Sequence, residues 1–244
     1  MTYNIIIPVF NEERNIYNLI NKLSKNFIVK DQDCKKIILV NDGSFDNSQI
    51  LLNKYSKKIK KIIILSHKHN LGYGAALKTG IKYSKKISKY CIFLDSDLTN
   101  PLSDIKKIRK FMAKDVDYIQ ANRYKKDTSK IQIHRKLLGT IGNILCKIFV
   151  NMKIHDYTNG FRAVKLKLYK NFELRENDFS IIMEEKYKIK KFINTIAQFD
   201  TVLGSRGNDL KKSSFNYSIK LITKYLFYCL LSALKTNKNL IKID

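Results

Sequence analysis

Two aspartates, Asp95 and Asp97, stand one residue apart where a short apolar run, residues 90–94, ends. The run predicts a buried strand, and alternation along an extended chain places both carboxylates on the same side. Such carboxylates repel each other unless a cation lies between them, and Mg²⁺ is often held by one or two carboxylates together with substrate phosphates. The pattern therefore predicts a metal site for a phosphorylated ligand. The alternative is a solvated turn, because Asp, Ser, Asn and Pro all favour turns.

Acidic side chains also follow two earlier apolar runs. Apolar runs predict strands at residues 4–9, 36–40, 62–65, 90–94 and 118–121. Amphipathic helical patterns alternate with these strands, which indicates an α/β fold with a parallel sheet. Ligands of such sheets bind beyond the carboxyl ends of the strands. Glu12, Asp42 and Asp97 all fall at that edge, so we expect a binding site there.

The second half of the chain carries fewer clear strand signals. Its patterns predict helices at residues 133–150, 179–188 and 218–234, a polar turn at 156–162, a strand at 192–203 and a basic loop at 204–213. The first and last of these helices either pack on the protein core or lie on a membrane surface with their lysines toward anionic headgroups. We expect one domain over residues 1–215 and an amphipathic helical tail over 216–244.

The formal net charge of +26 favours anionic partners such as nucleotide phosphates, an anionic membrane surface or nucleic acid. Composition bias explains it equally well, because Lys, Asn, Ile and Tyr are all abundant. The sequence contains no recognisable nucleic-acid-binding motif, which argues against that class of partner.

The four cysteines are widely separated and form no CxxC pair, as is typical of reduced thiols in a cytosolic protein. There is no signal-peptide pattern, and no apolar stretch approaches the roughly 18 residues of a membrane span. We therefore expect a cytoplasmic protein, peripheral on the cytoplasmic membrane face, to which a partner chain could supply an anchor.

Five short motifs occur in order along the chain. They lie at residues 6–12, 40–44, 70–75, 95–97 and 160–162, with sequences IIPVFNE, VNDGS, NLGYGA, DSD and GFR. Together they resemble the family 2 glycosyltransferases with the GT-A fold, which have a Rossmann-like, mostly parallel sheet flanked by helices. Within that family the chain looks most similar to the polyprenyl-phosphate sugar transferases, including the dolichyl-phosphate mannosyltransferase-like enzymes. The resemblance covers roughly residues 3 to 215.

The resemblance implies a site for a nucleotide sugar, a GDP- or UDP-sugar. The base and ribose would contact residues after the first two strands: Pro8, Phe10, Glu12, Val40 and Asp42. Asp95, Ser96 and Asp97 would contact ribose and diphosphate, and Asp95 and Asp97 would hold Mg²⁺ or Mn²⁺. Thr99 stands where the family often has a Gln that helps to bind the metal, and the sequence leaves open whether Thr99 or a water takes that place.

The resemblance also implies basic contacts to phosphate. Arg123 follows the fifth strand, Arg135 lies where the acceptor phosphate is expected, and Arg206 and Lys212 occupy a late loop over the diphosphate. The planar guanidinium fork of Arg suits phosphate oxygens. Asp156 would lie near the sugar as an orienting group. Glu184 or Glu185 would point toward the site, and the sequence does not choose between them.

The implied reaction is transfer of a hexose, such as mannose or glucose, to a polyprenyl or dolichyl phosphate with inversion at the anomeric carbon. A phosphate monoester is largely ionised at neutral pH, since its second pKa is about 6, and needs no catalytic base. A family 2 enzyme acting on a hydroxyl of a polysaccharide or protein would need one. A basic nucleic-acid or membrane-surface binding module is the alternative from another class, and it leaves the acidic strand ends unexplained.

Overall fold

The computed structural model describes residues 1–97, 99–124, 133–204, 218–234 and 240–244, without the side chains of residues 133–139 and 141. In this part of the chain, the strands are β1 (Tyr3–Val9), β2 (Cys34–Asn41), β3 (Ile62–Ser66), β4 (Tyr90–Phe93), β5 (Tyr118–Asn122), β6 (Arg162–Lys165), β7 (Thr195–Asp200) and β8 (Ile241–Ile243). The helices are α1 (Glu13–Ser24), α2 (Phe27–Lys30), α3 (Ser48–Ser56), α4 (Tyr73–Ser84), α5 (Ile105–Ala113), α6 (Ile133–Phe149), α7 (Ile181–Ile189) and α8 (Ile219–Ala233).

The described strands form a single sheet in the order β3-β2-β1-β4-β6-β5-β7-β8. Only β6 runs antiparallel to its neighbours among these strands. The predicted α/β fold with a mostly parallel sheet is therefore confirmed. Parallel strands share one carboxyl edge, and this arrangement brings the loops after β1, β2, β4 and β5 together.

The sheet is buried on both faces, as expected where helices cover a parallel sheet. Alternate residues of β1 separate into two cores. Ile5 and Ile7 pack with α1 and α5 on one face, whereas Ile6 packs with α4 on the other. Cys146 of α6 and Tyr228 of α8 belong to this second core. Helices α6 and α8 thus each bury one side against the protein.

Two features of the second half differ from the sequence predictions. The segment predicted as a polar turn continues into strand β6, which begins at Arg162. The strand predicted at residues 192–203 is confirmed only over β7, residues 195–200. Strand β6 was missed because two of its four residues, Arg162 and Lys165, are charged, yet both are buried.

A buried ion pair explains how β6 tolerates Arg162. Its guanidinium donates to both carboxylate oxygens of Glu185 on α7, at 2.6 and 2.8 Å, and to the carbonyl oxygen of Gly160 at 2.8 Å. Both side chains are fully buried. Burial raises the pKa of Glu185, but the charge and hydrogen bonds of Arg162, together with Lys186 and Tyr169, hold that pKa below its usual value. The pair therefore fixes α7 to the centre of the sheet.

Replacing Arg162 with Met should lower the free energy of unfolding by about 3–5 kcal/mol, because it leaves the Glu185 carboxylate buried without its partner. Urea denaturation would measure this change. The double variant Arg162→Met/Glu185→Leu should cost much less than the sum of the two single variants. Additive costs would show that the two side chains do not depend on each other.

Candidate active site

Hydrogen bonds of ordinary length connect the loop after β1 with the loop after β2. Asn11, in the left-handed conformation with φ of 53°, donates its backbone N–H to Ser44 Oγ at 3.0 Å, and its side chain accepts from the N–H of Phe45 at 3.1 Å. The N–H of Glu12 donates to Ser48 Oγ at 2.8 Å, while its carboxylate accepts from Asn15 at 2.6 Å. Glu12 is therefore positioned at the start of α1, at the carboxyl edge.

Two aromatic side chains, Phe10 and Phe45, contact each other where these two loops meet. The rings of Phe10 and Phe45 meet edge to face, with centroids 5.9 Å apart, and Phe45 is 86% exposed. Pro8 lies within β1, opposite Val40 in the sheet register, and is half-buried. The side chain of Val40 is fully buried in the core that includes Ala76. This burial leaves the Val40 side chain out of reach of a ligand, and the predicted contact of Val40 with the nucleotide remains a prediction.

Asp42 is almost fully buried, with 2% exposure, and anchors the neighbouring loop. One carboxylate oxygen accepts from His67 Nδ1 at 2.6 Å and from the N–H of Leu71 at 3.0 Å; the other accepts from the N–H of Gly72 at 2.8 Å. The structure thus gives Asp42 a structural role that the sequence did not indicate. Its contact with a nucleotide base remains a prediction.

The glycines of the NLGYGA motif let this loop approach a second segment closely. Gly72 has a φ of 102°, and a Cβ added there would lie 2.3 Å from the carbonyl oxygen of Asn177. The N–H of Gly74 donates to that same oxygen at 2.7 Å. A side chain at Gly72 would therefore clash with the backbone of Asn177 and strain the loop.

Asp95 and Asp97 follow β4 and are half-buried. Thr99, whose place in metal binding the sequence left open, donates both its N–H and its hydroxyl to Asp97 Oδ1, at 3.1 and 3.0 Å. The carbonyl oxygen of Thr99 accepts from the N–H of Gly204 at 2.7 Å. Thr99 therefore orients the Asp97 carboxylate, and Ser96 lies in the turn between the two aspartates.

The hydroxyl of Tyr73 and the carboxylate of Asp95 both lie close to Gly160. A Cβ added to Gly160 would lie 3.0 Å from Tyr73 Oη and 3.5 and 3.7 Å from the two carboxylate oxygens of Asp95. Burial raises the pKa of Tyr73 well above its usual value, and the negative charge of Asp95 adds to this effect. The loop containing the GFR motif thus leaves room for both groups.

Arg123 and Asp156, predicted separately, form a bidentate ion pair. Arg123 Nε and Nη2 donate to the two Asp156 oxygens at 2.7 and 3.0 Å, and Nη2 also donates to Thr158 Oγ1 at 2.8 Å. Burial would lower the pKa of Arg123, but Asp156 outweighs it and raises that pKa. Asp156 is fully buried whereas the Arg123 side chain is 21% exposed. Asp156 therefore orients Arg123, which is the member of the pair that a ligand can reach.

Neither Glu184 nor Glu185 points into the site, so that prediction is wrong. Both are fully buried. Glu184 accepts from the N–H groups of Arg175 and Glu176 and pairs with Lys188 at 2.6 Å. Glu185 is held by Arg162, as described above. Both carboxylates therefore stabilise the structure around the site.

Three predicted phosphate contacts fall outside the described side chains. The backbone of Arg135 lies in α6, but its side chain is among those not described, and Arg206 and Lys212 lie between the described ranges 133–204 and 218–234. All three remain predictions.

The residues at the end of β4 fit a divalent cation that prefers oxygen ligands. Asp95 and Asp97 supply two half-buried carboxylates. Within the described part of the chain, no group of three or more His, Cys, Asp or Glu side chains could hold a metal ion. Mg²⁺ is commonly bound by one or two protein carboxylates together with substrate phosphates and water.

The sequence matches the model of one protein family, Glycosyl transferase family 2, over residues 4–172. It is 28% identical over 178 residues to an uncharacterised protein of Methanocaldococcus jannaschii, a match that covers 69% of this chain and 73% of that protein. It is 27% identical over 240 residues to an undecaprenyl-phosphate 4-deoxy-4-formamido-L-arabinose transferase of Pectobacterium atrosepticum, covering 96% of this chain and 67% of that one.

A dolichyl-phosphate β-glucosyltransferase of Trichomonas vaginalis is 26% identical over 171 residues, or 65% of this chain. The match spans about half of that relative, 52% of its length.

Solved structures similar to this fold include glucosyl-3-phosphoglycerate synthase from Mycobacterium tuberculosis. The complex with Mn²⁺, UDP and glucosyl-3-phosphoglycerate has a TM-score of 0.61 at 15% identity, covering 93% of this chain and 80% of that one. The complex with Mg²⁺ and UDP has a TM-score of 0.62 at 16% identity, covering 93% and 79%. This similarity confirms the predicted GT-A fold.

Replacing Asp42 with Asn should loosen the loop that contains residues 67–72, because an amide cannot accept all three hydrogen bonds. We expect amide exchange at Leu71 and Gly72 to accelerate at least tenfold, which corresponds to the loss of about 1–3 kcal/mol for unpaired buried groups. Hydrogen exchange followed by mass spectrometry would measure it. Asp46→Asn is the control, since Asp46 accepts from the N–H groups of Glu13 and Ser48 instead. Equal exchange in both variants would contradict the anchoring role.

Proposed function

Because the chain belongs to glycosyl transferase family 2, we propose that it transfers a hexose from a nucleotide diphosphate sugar to a polyprenyl phosphate. The observation that carries this proposal is the edge of the sheet, where Asp95 and Asp97 stand near the oriented guanidinium of Arg123. The names of two relatives, a dolichyl-phosphate glucosyltransferase and an undecaprenyl-phosphate sugar transferase, support the acceptor class. UDP in the similar solved structures supports a nucleotide sugar as the donor.

We place the nucleotide on the loops after β1 and β2. The exposed face of Phe10 would contact the base, and Glu12 would accept hydrogen bonds from ribose or base. Arg123 would donate its remaining N–H groups to diphosphate oxygens, for which the planar guanidinium is well suited. Because Asp156 holds Arg123 in a bidentate pair, little conformational freedom would be lost when the diphosphate binds.

We propose that Asp95 and Asp97 hold Mg²⁺ or Mn²⁺. A bound ion would neutralise the negative charge that develops on the departing nucleoside diphosphate. Thr99 would contribute by holding Asp97 Oδ1 through two hydrogen bonds, so that the carboxylate keeps one orientation whether or not substrate is present.

The acceptor is the point at which the two enzyme hypotheses differ. A hydroxyl acceptor needs a base within hydrogen-bond reach, and the acidic pair available for that role was Glu184 and Glu185. Both are buried and occupied by other groups. This observation favours an acceptor that is already ionised, such as a lipid phosphate. An oxygen of the lipid phosphate would attack the anomeric carbon with inversion, as the bond from that carbon to the nucleoside diphosphate breaks.

The exposed sides of two helices support binding at a membrane surface. On α8 and at its C-cap, Leu234, a stripe of apolar side chains faces solvent: Ile219, Ile222, Leu226, Phe227, Leu230 and Leu234. On α6, Ile144 and Ile148 are 53% and 65% exposed. In the described part of the chain, no helix is both long enough and apolar enough to cross a bilayer. We propose that these faces lie in the interface of an anionic membrane, at its cytoplasmic side.

The donor and metal assignments can be tested in one assay. UDP-glucose, GDP-mannose or UDP-N-acetylglucosamine, each labelled in the sugar, would be offered with Mn²⁺ and a short polyprenyl phosphate. Transfer of label into organic solvent is expected with one donor and should stop when EDTA removes the metal. Asp97→Asn should lower the rate at least a hundredfold, because one carboxylate ligand is lost. Asp33→Asn, at the opposite edge of the sheet, should leave the rate unchanged. Near-normal transfer by Asp97→Asn would refute the metal assignment.

Membrane binding can be tested separately by sedimentation with vesicles of phosphatidylglycerol and phosphatidylcholine. Replacing both Leu226 and Leu230 with Glu should reduce the bound fraction severalfold, because apolar burial is lost and like charges repel. The control is Ile50→Glu on α3, since Ile50 is also exposed, at 66%, but lies on the other face of the sheet. Equal binding by both variants would exclude α8 from the membrane contact.

A further inference from the structure

Tyr73, the aromatic residue of the NLGYGA motif, is held in a defined position at the start of α4. Its ring stacks on that of Phe179, with centroids 4.4 Å apart and planes inclined by 19°. Phe179 belongs to the segment that approaches Gly72 and Gly74. A tyrosine stacked in this way has few rotamers available, so its hydroxyl points to one place.

The Tyr73 hydroxyl lies close to the end of β4. A Cβ added to Gly160 would come within 3.0 Å of Tyr73 Oη and within 3.5 Å of one Asp95 oxygen. The Tyr73 hydroxyl and the Asp95 carboxylate therefore both border the space that the missing side chain of Gly160 leaves open. A methyl group at position 160 would require the Tyr73 hydroxyl to shift by a few tenths of an ångström, whereas Asp95 would remain in ordinary van der Waals contact.

The hydroxyl of Tyr73 has no hydrogen-bond partner in the part of the chain that the structure describes, and the residue as a whole is half-buried. Other buried tyrosines nearby are occupied: Tyr169, for example, donates to Glu185 at 2.6 Å. A phenol is protonated at neutral pH and is a good donor to an anionic oxygen. The Tyr73 hydroxyl is therefore a hydrogen-bond donor that has a fixed position close to Asp95 and no partner among the described residues.

Helix α8 holds in place the segment around Phe179, on which the Tyr73 ring stacks. Lys224 pairs with Glu176 and Asp178 at 2.5 and 2.7 Å. Tyr225 donates to the carbonyl oxygen of Phe179 at 3.2 Å. The segment on which Tyr73 stacks is therefore held at both ends, which favours a fixed position for its hydroxyl.

We propose that Tyr73 Oη donates a hydrogen bond to a phosphate oxygen of the substrate bound at Asp95 and Asp97. This inference rests on the proposed function and adds to it a contact that the sequence motifs do not assign. The phosphate belongs either to the nucleoside diphosphate of the donor or to the acceptor lipid. Both present the same anionic oxygen chemistry to Tyr73, and the two are separated by experiment.

The test compares Tyr73→Phe with the wild type. Titration calorimetry with UDP and GDP in the presence of Mn²⁺ measures binding of the donor's diphosphate, and the transfer assay measures KM for a short polyprenyl phosphate. Loss of a hydrogen bond to a charged oxygen should weaken one of these two constants by about tenfold to a hundredfold. Weaker nucleotide binding assigns the contact to the donor; a raised acceptor KM alone assigns it to the lipid phosphate.

Tyr83→Phe, at the other end of α4, is the matched control and should change neither constant. Gly160→Ala provides a second variant, because its methyl group would crowd Tyr73 Oη. Its cost in the affected constant should be smaller in the Tyr73→Phe background than in the wild type. If the wild type binds nucleotide and transfers sugar but Tyr73→Phe matches it in both constants, the inference about Tyr73 is overturned and the proposed function stands. If the wild type does neither, the proposed function itself fails.

Discussion

The buried ion pair between Arg162 and Glu185 connects most of the elements that form the candidate site. Arg162 lies in the one antiparallel strand of the described sheet, between β4 and β5, and its guanidinium also binds the carbonyl oxygen of Gly160. It lies over the ring of Phe93, two residues before Asp95, with its central carbon 4.1 Å from the ring centroid. One buried cation therefore positions the β4 end, the GFR loop and α7 relative to one another. The desolvation of both charges is costly, so the presence of the pair is not in itself a measure of stability.

The carboxyl edge shows how acidic residues are distributed between supporting and binding roles. Asp42 and Asp156 each accept several hydrogen bonds from the protein and are buried, so they hold neighbouring groups in place. Asp95 and Asp97 remain half-buried at the surface of the edge. The edge thus combines fixed anions that orient a cation, Arg123, with accessible anions that can hold a metal ion.

Much of the fold could be predicted because parallel strands have continuous apolar sequences and share one edge. The placement of Glu12 and Asp97 at that edge followed from this rule alone. Strand β6 could not be predicted, because a buried Arg in a four-residue strand depends on a partner 23 residues away. The orientation of Glu184 and Glu185 also could not be predicted, since neighbouring residues on a helix point about 100° apart. Apart from Lys188 on the same helix, the partners named above for these two carboxylates come from other segments. The sequence did not point to a function for Tyr73, because an aromatic residue at the start of a helix usually packs in the protein core.

Helix α8 links the surface proposed for the membrane to the support of the site. Its apolar stripe, which includes Leu226 and Leu230, faces solvent, whereas Lys224, Tyr225 and Tyr228 bind the segment around Phe179 from the other side. In the proposed function a lipid phosphate would approach from the membrane, so the helix that would meet the membrane would also fix the residues beside Asp95. The two sides of α8 would then have separate roles, the apolar stripe in the proposed membrane contact and the polar side in holding the segment on which Tyr73 stacks.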